Sequence, residues 1–254
     1  MEVVCCDPKD AFVELTKHLV ESDFETCVHV KYSFDKNTHE NSELQRAFDA
    51  VFKDRFKWKL SRNLPWRLWL LESGFPHILY KENDGDLNRM MADNRLITYN
   101  FSSCDTAHSF FGHICRPLST CGGKSYVEYL LERWAEPVKR VQPFFYFDLE
   151  PMEWIWNELI TNVNAIKTYR SGGICCTNMF FRWDRRRNIP IHGWILKHCQ
   201  WSHMYQDIYS PLYILRAVLK ELGMDCTGEI SVFFVSISLD ERRKAKELLN
   251  IMEV

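Results

Sequence analysis

Gly172-Gly173-Ile174-Cys175-Cys176-Thr177-Asn178-Met179-Phe180-Phe181-Arg182-Trp183, then Asp184-Arg185-Arg186-Arg187-Asn188, then Ile189-Pro190-Ile191-His192-Gly193-Trp194-Ile195-Leu196, is the most legible part of the chain. Two apolar runs, Asn178 to Trp183 and Ile189 to Leu196, flank a charged stretch and read as strand, turn and strand. Arg185, Arg186 and Arg187 read as a solvated hairpin tip. Downstream, Ser210-Pro211 reads as a helix start, with Leu212, Leu215, Leu219 and Leu222 on its core face and Gly223 as its stop. Glu229 to Ile237 reads as a last strand. A charged helix follows from about Asp240 to Leu249, with Arg242, Arg243, Lys244 and Lys246 on its wet face.

Upstream, Asp7 caps a helix that begins at Pro8 and puts Phe12, Leu15, Leu19 and Val20 on one face. Val28, Val30, Tyr32 and Phe34 alternate with His29, Lys31 and Ser33, the period of a half-buried strand. Helices are also expected over 44–56, 125–140 (with Pro137 ending or kinking it) and 151–169, and a buried strand over 144–149. The stretch 58–100 shows little period. Strands and helices mix without strict alternation, so the fold class is α/β with an α+β mixed sheet rather than a doubly wound parallel sheet. No repeat or composition break divides the chain, so residues 1–254 read as one domain.

Hydrophobic residues make up 46% of the 254 and charged residues 26%, which excludes a disordered chain. Lys+Arg 32 against Asp+Glu 34 gives a net charge of -2, so no overall basic field invites nucleic acid or an anionic membrane. Met1-Glu2-Val3-Val4 runs straight into Asp7-Pro8-Lys9-Asp10, unlike a secretory leader, and the ten cysteines are expected as reduced thiols in the cytoplasm. The longest apolar runs are too short to span a bilayer.

No glycine-rich nucleotide loop, zincin or calcium-loop pattern occurs. Cys104, His108, His113 and Cys115 match no common zinc spacing, and buried thiols with surface imidazoles are the simpler reading. The sharper feature is Cys176, set between the Gly172-Gly173 pair and a strand start, where a thiolate can face a cleft and act as nucleophile. Buried cysteines at strand starts are common. Successive strand residues point to opposite faces, so only one of Cys175 and Cys176 serves a given cleft.

The order Cys176-Thr177-Asn178, strand, charged turn, strand, polar stretch, helix and terminal strand resembles the thymidylate synthase superfamily, closest to its deoxycytidylate hydroxymethylase branch. The resemblance implies a twisted mixed sheet flanked by helices, and a homodimer formed by sheets packed face to face. It implies addition of Cys176 to C6 of a pyrimidine nucleotide, which makes C5 nucleophilic toward the carbon unit of 5,10-methylenetetrahydrofolate. The family's base-reading Asn or Asp stands thirty-one residues past the cysteine, which here is Asp207; a carboxyl suits the N3 and 4-amino edge of cytosine. Asn178 joins it among the expected substrate contacts. Lys139-Arg140 resembles the family's Arg-Arg pair, which reaches the substrate phosphate across the dimer.

Several positions depart from the family pattern. Leu44-Gln45-Arg46 resembles the helix of the catalytic Glu, but Ala47 stands in its place and Glu43, one turn back, is the candidate substitute. The phosphate-binding Arg-Ser falls on Leu196 and Lys197, of which Lys197 supplies charge without a bidentate fork. The sugar-binding His-x-Tyr is missing from Ile237 to Asp240. Three functions are therefore open. One is a nucleotide C5 methyl- or hydroxymethyltransferase. Another is a catalytically degenerate relative that binds a nucleotide or a protein partner. The third is a cysteine hydrolase using Cys176, His198 and Asp207 in papain-like order.

Overall fold

In the computed structural model, the described residues are 1–5, 7–38, 43–44, 46–48, 50–51, 76–93, 114–115, 122–136, 144–146, 176–196 and 198–253. The elements in chain order are β1 (Glu2–Cys5), α1 (Pro8–Ser22), β2 (Phe24–Phe34), α2 (Pro76–Glu82), α3 (Leu87–Met91), α4 (Tyr126–Ala135), β3 (Phe144–Tyr146), β4 (Cys176–Asp184), β5 (Ile189–Leu196), β6 (Cys199–Gln200), α5 (Trp201–Glu221), β7 (Gly228–Ser238) and α6 (Arg242–Ile251). The described residues among 43–51 (43–44, 46–48 and 50–51) are helical. The sheet order is β1-β2-β7-β5-β4-β3, with β6 extending the pairing along β7. Pairs β1–β2, β5–β7 and β6–β7 are parallel, and β2–β7, β3–β4 and β4–β5 are antiparallel. The expected mixed sheet is therefore present.

Local chemistry explains most boundaries. Asp7 Oδ1 accepts from Lys9 N at 2.6 Å, and Pro8 occupies the first turn of α1, where its missing N–H costs nothing. Ser125 and Glu128 form a reciprocal capping box at the start of α4, which ends before Pro137. Strand β7 brings Ile230, Val232 and Phe234 to one face, in register with Val30 and Val28 of β2 and with Trp194 and Leu196 of β5. That face is buried beneath α1 and α5, where Phe12 lies edge-on to Tyr205, ring centroids 6.1 Å apart. Helices α2 and α3 pack on α5, α6 packs on α1, and Trp134 of α4 meets Phe181 and Trp183 edge-on. The described helices thus lie on one face of the sheet.

One expectation changes here. Helix α5 begins at Trp201, ten residues before the expected start, and Pro211 lies inside it. Pro211 cannot donate to the Asp207 carbonyl, and next to that gap Tyr32 Oη donates to the Ile208 carbonyl at 2.5 Å. The hairpin tip adds to its expectation. Arg185, Arg186 and Arg187 are all exposed, as a solvated tip requires, but Arg187 also donates through Nη1 and Nη2 to Glu229, which Lys31 Nζ reaches at 2.9 Å. Burial alone would push the Glu229 carboxyl up; the hydrogen bonds from Arg187 and Lys31 outweigh it and hold it below its ordinary range. The expected helix over 151–169 lies outside the described residues, as do Cys104, His108 and His113. No group of residues able to hold a metal ion occurs among the described residues.

Candidate functional site

The site is built where β4 begins and where β5 and β6 end. Cys176 is the first residue of β4, opposite Leu196 of β5, and the register shifts between Cys176 and Asn178. Such a bulge bends the strand and changes how its residues are presented, and bulges concentrate beside functional sites. Three residues beyond Leu196, Cys199 of β6 sets its Sγ 3.2 Å from Asp207 Oδ2 and 3.2 Å from the Gln200 carbonyl, two acceptors for its one thiol hydrogen. Asp207 is carried two turns into α5, 8% exposed. Trp201, on the first turn, donates its indole N–H to Thr16 Oγ1 of α1 at 3.0 Å and is fully buried, which anchors the helix start.

Polar side chains continue around this end. His198 pairs through Nδ1 with Ser236 Oγ at 2.8 Å and through Nε2 with Ser238 Oγ at 3.3 Å. Ser202 donates its backbone N–H and its hydroxyl to the two carboxylate oxygens of Asp240, at 3.0 and 2.5 Å, so a residue after β7 satisfies the start of α5. Sequence reasoning missed these partners. Ser236 and Ser238 read as ordinary alternating strand residues, and the two residues of β6 are too few to give a strand signal.

The expected site residues divide into three groups. Cys176 and Asp207 belong to this end of the sheet, whereas Asn178, half-buried and level with Ile195 and Tyr146, lies on the face of the sheet away from α5 and Asp207. Lys139, Arg140, Lys197 and Cys175 lie outside the described residues. Glu43 stands apart among the helical residues of 43–51, with its side chain 53% exposed and bonded to Lys9 Nζ of α1 at 3.3 Å. Ala47 is buried, and so is Leu196, at the position of the family's phosphate-binding arginine. Both ring nitrogens of His198 meet serine hydroxyls and Asp207 meets a thiol, so the papain-like order of Cys176, His198 and Asp207 is not matched by a histidine–aspartate contact.

No protein-family model and no curated protein matches this sequence. The chemistry available at the site therefore rests on its residues. A buried carboxyl offers two acceptors when ionised, or one acceptor and a donor when protonated, which is the complement of an amidine-like ring edge. A strand-end cysteine offers a soft nucleophile. No helix among the described residues is long and apolar enough to cross a membrane.

Proposed function

We propose that the chain is a thymidylate synthase-type transferase that places a methyl or hydroxymethyl group on C5 of a pyrimidine nucleotide, with a cytosine nucleotide as the favoured acceptor. One observation carries the reading. The buried Asp207 is joined to Cys199 of β6 at the sheet end where Cys176 opens β4, beside a bulge. In this proposal the Cys176 thiolate bonds to C6 and drives the C5–C6 electron pair onto C5. Once C5 has gained the carbon unit and lost its proton, expulsion of the thiolate restores the double bond. Asp207 pairs with N3 and the 4-amino group; Asn178, on the opposite face of the sheet, is left out of the base contact. Lys139, Arg140 and Lys197 supply phosphate charge. The implied 5,10-methylenetetrahydrofolate would supply the carbon unit when bound, leaving as tetrahydrofolate with water providing the hydroxyl for a hydroxymethyl product, or as dihydrofolate after also giving up a hydride for a methyl product; the donors found at this end fit a pyrimidine edge, and none is assigned to a pteridine. Glu43 is the proposed proton-handling residue, and using it for chemistry requires release of its Lys9 contact.

A second reading has its own support. Leu196 and Ala47 are core residues where the family carries working polar groups, which favours a degenerate relative that binds a nucleotide or a protein without turnover. Two measurements separate the readings. Incubation with 5-fluoro-dCMP and 5,10-methylenetetrahydrofolate should give a covalent adduct by denaturing mass spectrometry, and Cys176→Ala should abolish it. Tritium release from 5-tritiated dCMP supports the transferase; nucleotide binding by dialysis with neither adduct nor release supports the binder and rejects turnover.

A further inference from the structure

At the other end of the sheet, a cavity of about 460 Å³ opens between the end of α2, the turn after it, the middle of α5, and the loops that follow β2 and precede β7. Its lining comprises Lys36, Tyr80, Lys81, Asp84, Tyr213 and Arg216, together with Cys226. Gly228 pairs with Phe34 at this end, and Phe234 is level with Leu196 and Cys176 at the other. Those six residues of strand span about 20 Å, so the cavity is separate from the candidate transferase site.

We infer that this cavity binds a small phosphomonoester with an aromatic or unsaturated body. Among the described residues of the lining, three cations face one carboxylate, which favours a dianion over a neutral or cationic guest. Arg216 is 4% exposed and is fixed before any ligand arrives. Nη2 donates to the Asp35 carbonyl at 2.6 Å, and the guanidinium lies 5.7 Å from the Phe34 ring centroid and 5.8 Å from that of Tyr213. Its Nε–H has no acceptor among the described residues, so the head is under-satisfied as it stands. Partial burial on this wall holds the Lys81 ammonium below its ordinary range.

The apolar wall is equally built. Tyr80 and Tyr213 lie 5.1 Å apart at 54°. The Tyr80 ring is seated against Gly85, whose φ of +67° and lack of Cβ admit it: a Cβ there would meet ring atoms at 2.6 to 2.8 Å. Gly85 N donates back to the Tyr80 carbonyl at 2.7 Å, and Lys220 of α5 holds the Asp84 carbonyl. A preformed guanidinium beside a fixed ring pair lowers the ordering cost of binding.

Cys226 reports on occupancy because it is a partly exposed thiol on the cavity wall. Phenyl phosphate and inorganic phosphate are titrated into the full chain while alkylation of each cysteine by iodoacetamide is followed by peptide mass. Saturating phenyl phosphate should slow Cys226 alkylation about tenfold, leaving the exposed Cys27 unchanged, and inorganic phosphate should compete more weakly. Lys36→Met and Lys81→Met should each weaken binding about tenfold, and Cys176→Ala should leave it unaltered, whatever becomes of the transferase reading. An unchanged Cys226 rate overturns the site. So does protection that survives in the Lys36→Met/Lys81→Met double variant with equal affinity. Inorganic phosphate binding as tightly as phenyl phosphate overturns the aromatic half of the assignment.

Discussion

Trp194 donates its indole N–H to Nε2 of His192, which makes that nitrogen the acceptor and leaves the ring proton on Nδ1, where no partner stands among the described residues. The ring is fully buried, edge-on to Phe181 with centroids 4.0 Å apart, and burial pushes its pKa down to about 3. His77, in α2, is driven to about 4 by the same cause. Both depart from an ordinary value of 6.5, so between pH 6.5 and 4 the unfolded chain binds more protons than the folded one. Stability from these histidines is complete above pH 6.5 and is lost as the pH falls, by about 1.4 kcal/mol per pH unit for each ring within that window. Urea unfolding at pH 7, 6, 5 and 4.5 should show it. His192→Leu should flatten the slope, and an unchanged slope would remove His192 from the account.

Pro211 shows how an element can be governed by a residue far away in sequence. The helix passes through it, and Tyr32 of β2 supplies a donor to the Ile208 carbonyl beside the gap. Tyr32 is 1% exposed, so Tyr32→Phe removes a buried second bond to the Ile208 carbonyl, which keeps the Leu212 N–H as its helical partner. We expect a loss of about 0.5–1.5 kcal/mol in denaturant unfolding and faster amide exchange in the turn that carries Asp207; unchanged values for both would show that the bond contributes nothing. The reading of Ser210-Pro211 as a helix start applied a sound local rule, because proline is at home in a first turn. What it could not contain was a hydroxyl supplied from residue 32. Legibility followed that division elsewhere. Asp7-Pro8, the alternation of β2 and the hairpin strands β4 and β5 are local signals, and each gave its element. Strand β1 has four residues with no period of its own and is defined by pairing with β2. At the candidate site, Asp207 is implied by the family resemblance alone, and its contact with Cys199 joins a two-residue strand to a helix and leaves no mark on the sequence.

At the scale of the whole molecule, the layering is one-sided among the described residues. The face away from the helices carries half-buried Phe180, Ile191, Ile195 and Phe233, with Val235 44% exposed. The proposed homodimer would cover this face with a second copy. Light scattering at micromolar concentration should report a dimer, and Phe233→Lys, which puts a charge at the middle of the face, should give a folded monomer. A monomeric parent chain would contradict the dimer while leaving the fold as described.

The β2–β7 pairing joins residues 24–34 to residues 228–238. A ribosome adding about 5–20 residues per second makes β2 roughly 10–40 s before its partner exists. Through that interval Val28, Val30, Tyr32 and Phe34 have no sheet to enter, and the strand edge stays open. Folding of the sheet must then wait until residues 228–238 have been made, and the nascent chain is a natural client for holdase chaperones during the delay.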